Sequence, residues 1–164
     1  MPSYILNNGF FNACLFCSLS LNSQIGLIFW GNQHNVNKVL IFQKRILTIM
    51  LGLGCRSSCR AWFKQLDILT IPCLYIYSVV MFVICNSSYF KTNFSVHSIH
   101  TRQKNNFHKP LVKFTLIQRG ITYSPIRVFN KLPLEVTQFQ HDKMQFKNAL
   151  KKYLIMFCIL RMNF

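Results

Sequence analysis

Apolar and polar positions follow helical spacings through most of this chain, broken by polar stretches at a few definable places. The stretch Phe10 to Trp30 carries Phe, Cys, Leu and Ile among Ser and Asn without a charge, and it reads as a buried helix. Asn32 and Asn35 mark a turn after it. Lys38 to Leu51 has the clearest amphipathic pattern. Val39, Phe42, Ile46, Ile49 and Met50 recur at three- and four-residue spacing, while Gln43, Lys44, Arg45 and Thr48 gather on a polar side. The expectation is an amphipathic helix with these five residues on its apolar side, stopped by Gly52 and Gly54. Ser57 or Ser58 can cap a short helix through Leu66, with Cys59, Trp62, Phe63 and Leu66 on its apolar side. Pro72 suits the first turn of a further helix reaching about Cys85.

Beyond Asn86 the pattern dissolves. Asn86 to Lys113 is rich in Asn, Ser, His and Lys with a proline at Pro110, and it reads as a long loop, unusual in a compact domain unless it serves a purpose. A short helix is expected after Ser124-Pro125, through Ile126, Val128 and Phe129, ending near Leu132-Pro133. Asp142 is placed to cap the last helix, whose Phe146, Leu150, Tyr153, Leu154 and Phe157 share a side. The predicted fold class is all-α: a small irregular helical bundle with a long basic loop between about Asn86 and Lys113. It forms one helical region with an apolar front part, about 10–85, and a basic back part, about 86–164.

Composition sharpens this picture. Hydrophobic residues make up 51% of the 164 residues, with sixteen Phe, so a chain of this size can bury a core. Nineteen Lys and Arg stand against Asp67, Glu135 and Asp142, a net charge of +16. No charged residue precedes Lys38, and most of the basic ones follow Asn86. Such an excess favours a polyanionic partner, nucleic acid or an anionic membrane surface. Two-metal phosphoryl transfer needs clustered carboxylates, and no two acids here lie closer than seven positions.

A series of phrases then runs through the chain in order. They are Gly26-Leu27-Ile28-Phe29-Trp30-Gly31, Gln43-Lys44-Arg45-Ile46, and Ser58-Cys59-Arg60 with Trp62-Phe63 and Leu66. Ile68-Leu69, Tyr75-Ile76-Tyr77-Ser78, Thr101-Arg102-Gln103, Phe129-Asn130-Lys131-Leu132-Pro133 and Phe146-Lys147 with Leu150-Lys151 follow. In order and spacing the series resembles the C-terminal, thumb and post-thumb region of the reverse transcriptase of jockey-like non-LTR retrotransposons. The resemblance covers roughly Cys14 to Leu160 and implies a helical piece that lies against a template–primer duplex. It implies backbone contacts from Arg102 and the basic residues of the closing helix, core packing by Trp30, Phe129 and Leu132, and element ends at Gly31 and Pro133. The family's aromatic-x-Asp-Asp metal turn has no counterpart here, so no catalytic residue is carried over and no enzyme activity is expected. Ile25 stands where the family usually has Tyr, Met1 to Phe11 matches nothing, and Met162-Asn163-Phe164 closes without a charged tail. These are the departures expected of a decayed or truncated copy.

The candidate nucleic-acid-binding residues are Arg102, Lys104, Lys109, Arg119, Arg127, Lys131, Lys147, Lys151 and Lys152. Thr101, Asn105, Asn106 and His108 add donors of the kind that contact phosphate oxygens. Phe107 and Tyr123 can either stack on bases or anchor the loop. Cys14 and Cys17, Cys55 and Cys59, and His97 and His100 have metal-like spacings, but Cys14 to Cys17 lies in an apolar run without a turn. These cysteines are read as small core hydrophobes, with no metal or cofactor expected. Disulfides are not expected in the reducing compartments where retroelement proteins act.

The expected partner is nucleic acid, RNA or the backbone of an RNA–DNA duplex, with a retroelement polymerase supplied in trans as a further one. The rival is a small single-span membrane protein, since Ile68 to Cys85 gives eighteen residues without a charge. Asn86-Ser87-Ser88 and Asn93-Phe94-Ser95 fit the glycosylation sequon. Asp67 and Pro72 argue against a span, as does the even balance of Lys and Arg on its two flanks. The start of the chain also lacks the basic residues of a signal peptide. A cytoplasmic or nuclear location is favoured over a membrane. The third reading is a decayed fragment without a selected function.

Overall fold

The computed structural model describes residues 26–32, 36–54, 57–98, 100–118 and 120–161. Among them the fold is all-α. The helices are α1 (Val36–Met50), α2 (Arg60–Gln65), α3 (Ile71–Cys85), α4 (Asn93–His97), α5 (Thr115–Gln118), α6 (Ser124–Phe129), α7 (Leu134–Thr137) and α8 (Lys143–Arg161), with a 3-10 turn at Ser87–Tyr89. Packing divides the chain into two units, residues 1–75 with 151–164, and residues 76–150. The change from apolar to basic near residue 86 thus does not coincide with the division of packing, which falls inside α3 and again inside α8.

In the first unit the face that α1 buries is turned by about a quarter of the helix from the expected one, leaving Val39 and Met50 half-buried at its edge. Phe42, Ile46 and Ile49 are 59%, 44% and 79% exposed, while Val36, Gln43 and Leu47 are buried. The helix has apolar residues on both sides, so periodicity does not choose between them. The amide of Gln43 does: its Nε2 donates to the carbonyl of Leu69 at 2.9 Å, and its Oε1 accepts from the N–H of Ile71 at 3.0 Å. That N–H belongs to the first turn of α3 and would otherwise lack a partner. Leu47, Cys59 and Phe63 form a core around which Leu51, Trp62, Leu66 and Ile68 pack. Gly52, at φ 61°, closes α1 in the left-handed conformation that glycine adopts without steric cost.

Residues 26–30 are helical and Leu27 is fully buried; the rest of the expected Phe10–Trp30 helix lies outside the described residues, as does Asn35. Gly31 follows as a helix end, its N–H donating to the carbonyl of Leu27 at 2.7 Å. Cys73 is disulfide-bonded, against the expectation of reduced thiols; Cys59 and Cys85 are free.

In the second unit Val79, Val80 and Val83 of α3 are completely buried. Beside them runs a ladder of phenylalanines. Ring centroids lie 6.3 Å apart from Phe82 to Phe90, 5.8 Å from Phe90 to Phe107, 5.0 Å from Phe107 to Phe129 and 6.3 Å from Phe129 to Phe146. These are the spacings of favourable offset and edge contacts. Ser124-Pro125 starts α6 as expected, and Asp142 caps α8, its Oδ1 accepting from the N–H groups of Met144 at 2.9 Å and Gln145 at 3.2 Å. α3 has 15 residues and is about 22 Å long, short of a hydrocarbon core of about 30 Å. No helix among the described residues is long and apolar enough to cross a membrane.

Candidate nucleic-acid interface

The segment expected as a long loop is in large part ordered by its own backbone. The N–H of His108 donates to the carbonyl of Lys91 at 2.7 Å, and Thr92 and Phe107 form an antiparallel bridge. The N–H groups of Asn93 and Phe94 then donate to the carbonyls of Asn106 and Lys104 at 2.9 and 3.1 Å. The hydroxyl of Thr92 caps α4 by accepting from Ser95 N–H at 3.3 Å, and Ser98, at φ 53°, ends it. A turn at 102–105 closes the tip, with Lys104 N–H donating to Thr101 and Asn106 N–H to Gln103, both at 3.1 Å. The sequence hid this order because a bridge of one residue pair and a helix of five residues are too short to repeat a hydrophobic period.

Arg102 and Lys104 sit together in that turn, the first exposed and the second half-buried. Lys109 follows the closing pair, its Nζ 5.7 Å from the centroid of the Tyr123 ring. Tyr123 precedes α6, which carries the exposed Arg127, and the exposed Lys131 follows just after that helix. The two parts are joined at Asn130, whose side chain makes two hydrogen bonds to the backbone of Phe107. Phe107 and Tyr123 therefore anchor the segment: one belongs to the aromatic ladder, and the other is 9% exposed. Neither presents a free ring for base stacking.

The structure thus brings Arg102, Lys104, Lys109, Arg127 and Lys131 onto one connected substructure of the second unit. Lys147 is exposed on the part of α8 that belongs to the same unit. Lys151 and Lys152 belong to the first unit, where Lys151 Nζ meets Asp67 Oδ2 at 2.7 Å. Arg119 lies outside the described residues. Two exposed lysines, Lys91 and Lys113, flank the ordered segment and were not singled out by the sequence pattern. His97 and His108 meet edge to face at 5.0 Å, and His100 lies 5.1 Å from the ring of Phe94.

Acidic neighbours do little to offset this charge. Residues 76–150 contain Glu135 and Asp142 as their acids, and Asp142 is engaged at the start of α8. Among the described residues Arg102, Lys104, Lys109, Arg127, Lys131, Lys147 and Lys152 form no ion pair. Among the described residues, too, no three His, Cys, Asp or Glu side chains converge as a metal site would require; Cys14, Cys17 and Cys55 lie outside them. Comparison with protein families, curated proteins and solved structures finds no match to this chain.

Proposed function

We propose that the chain is a non-catalytic, retrotransposon-derived helical protein that binds the backbone of RNA or of an RNA–DNA duplex through its second unit. The observation that carries this reading is the exposed and unpaired set Arg102, Lys109, Arg127 and Lys131, with Lys104, on a substructure fixed by backbone bonds and the Asn130 amide. Phosphate oxygens are the acceptors such a set fits, and contacts to them position a protein without reading sequence. The Phe107 and Tyr123 rings are held by packing and do not stack on bases, so the contacts of this basic set are electrostatic and sequence-tolerant. The polymerase chemistry belongs to a partner supplied in trans, because this chain has no carboxylate pair to hold metal ions.

Fluorescence anisotropy with a single-stranded RNA and an RNA–DNA duplex over a salt series tests the reading. Five phosphate contacts give a log–log slope of about −4.5 on a duplex. Replacing Arg102 and Lys104 by Ala should reduce that slope by about 2. The pair Lys38→Ala with Lys64→Ala removes the same charge from the first unit and should leave it nearly unchanged. Salt-insensitive affinity would sink the proposal, and equal effects of the two pairs would reduce it to general attraction by a cationic chain.

A further inference from the structure

We infer that the outward face of α1 is a docking surface for an anionic lipid bilayer, with the helix lying in the plane of the headgroups. Ile41, Phe42, Ile46 and Ile49 are exposed by 49%, 59%, 44% and 79%, and on a helix of 3.6 residues per turn they fall on one side, opposite the buried Val36, Gln43 and Leu47. Exposed Lys38 and Arg45 lie within the same stripe, and α1 contains no acid. Phe42, Ile46 and Ile49 adjoin one another at three- and four-residue spacing, with Lys38 and Arg45 between them and Ile41, and large apolar side chains grouped on a surface mark an interaction site.

The chemistry of the stripe selects its occupant. Isoleucine has no π-face to stack on a base, so three of the four apolar residues gain nothing from nucleic acid. A second copy of the chain in a two-fold interface would bring Lys38 and Arg45 against like charges in the middle of the contact. A bilayer with acidic headgroups satisfies both components. The apolar side chains enter the acyl boundary while the two long cationic side chains reach back to the lipid phosphates. This surface lies in the first unit and does not depend on the nucleic-acid reading of the second.

Flotation of the full chain with vesicles tests it, using phosphatidylserine mixed with phosphatidylcholine against phosphatidylcholine alone. Wild-type protein should float with the acidic vesicles. The combined variant Phe42→Ser, Ile46→Ser and Ile49→Ser keeps the net charge and should lose at least ~tenfold in partitioning. Lys38→Glu with Arg45→Glu should weaken the preference for acidic lipid more than Lys147→Glu with Lys152→Glu, which makes the same change of charge elsewhere. RNA binding should be retained by the serine variant, and a matching circular-dichroism spectrum checks its fold. Equal flotation of wild type and serine variant would overturn the proposal by showing attraction through charge alone. Failure of the wild type to float, or a dimer in sedimentation velocity that the serine variant dissolves, would overturn it as well.

Discussion

The side-chain amide of Asn130 is paired with the backbone of Phe107 as a neighbouring strand would be: Nδ2 donates to the carbonyl at 2.8 Å, and Oδ1 accepts from the N–H at 3.1 Å. The two residues are 23 positions apart, so this contact ties the basic segment to the end of α6. Asn130→Ala leaves both half-buried Phe107 backbone groups without that partner, a loss of about 1–3 kcal/mol in a thermal melt. Asn130→Asp keeps the acceptor and loses the donor, and should fall between. Affinity for RNA should drop with Asn130→Ala although no charge is removed. A melt identical to wild type would mean that the amide does not hold the segment.

Gln43 gives the sharpest check on the orientation of α1. Gln43→Leu conserves approximate volume but leaves the Leu69 carbonyl and the Ile71 N–H without their partner. The expected loss is about 2–3 kcal/mol in urea denaturation. Ile46→Gln, on the exposed side, should cost less than about 0.5 kcal/mol. The hydrophobic pattern read by itself ranks the two substitutions the other way, so the order of their effects decides which face is inside.

Gly31 is buried where the chain passes beneath the ring of Tyr75. A Cβ at this position would lie 2.6 Å from the carbonyl oxygen of Leu27 and would also run into the Tyr75 ring. Real Cβ atoms do not approach backbone so closely, so the local chain must shift. Gly31→Ala should therefore destabilise by roughly 1–3 kcal/mol, measured by thermal or urea unfolding. Gly52→Ala meets no neighbour but must adopt φ 61°, and its cost should stay near 1 kcal/mol.

Much of the helical architecture was legible because its signals are local. Pro72, Ser124-Pro125, Asp142 and Gly52 each set an element boundary through their own backbone or side-chain chemistry. The inward side of α8 was legible too, since Phe146, Leu150 and Leu154 repeat at four-residue spacing and are all at most 1% exposed. The face of α1 was not, because its inner position is occupied by a polar residue whose partners lie 26 and 28 positions away. Of the candidate interface, the sequence marks the charges but not what holds them in place. The Thr92–Phe107 bridge and the Asn130 clamp are long-range backbone pairings that composition and periodicity do not encode. The anchoring role of Phe107 becomes decidable only once its ring is placed between Phe90 and Phe129.

Tyr77 predicts how stability responds to alkali. It is buried in α3, and burial raises its pKa above the ordinary 10.0, with Cys85 acting in the same direction. The folded protein thus retains the phenolic proton after the unfolded chain has lost it. The stabilisation that this proton linkage provides is fully present below pH 10.0 and is lost as pH rises through the raised folded-state value. Urea unfolding at steps from about pH 8 to about pH 11 should show stability falling at the top of the range. Tyr77→Phe removes the titrating group, so its curve should be flatter there and parallel to wild type below about pH 9. Cys85→Ser removes the smaller contribution and should flatten the curve less. An alkaline loss in Tyr77→Phe as steep as in wild type would place the sensitivity elsewhere.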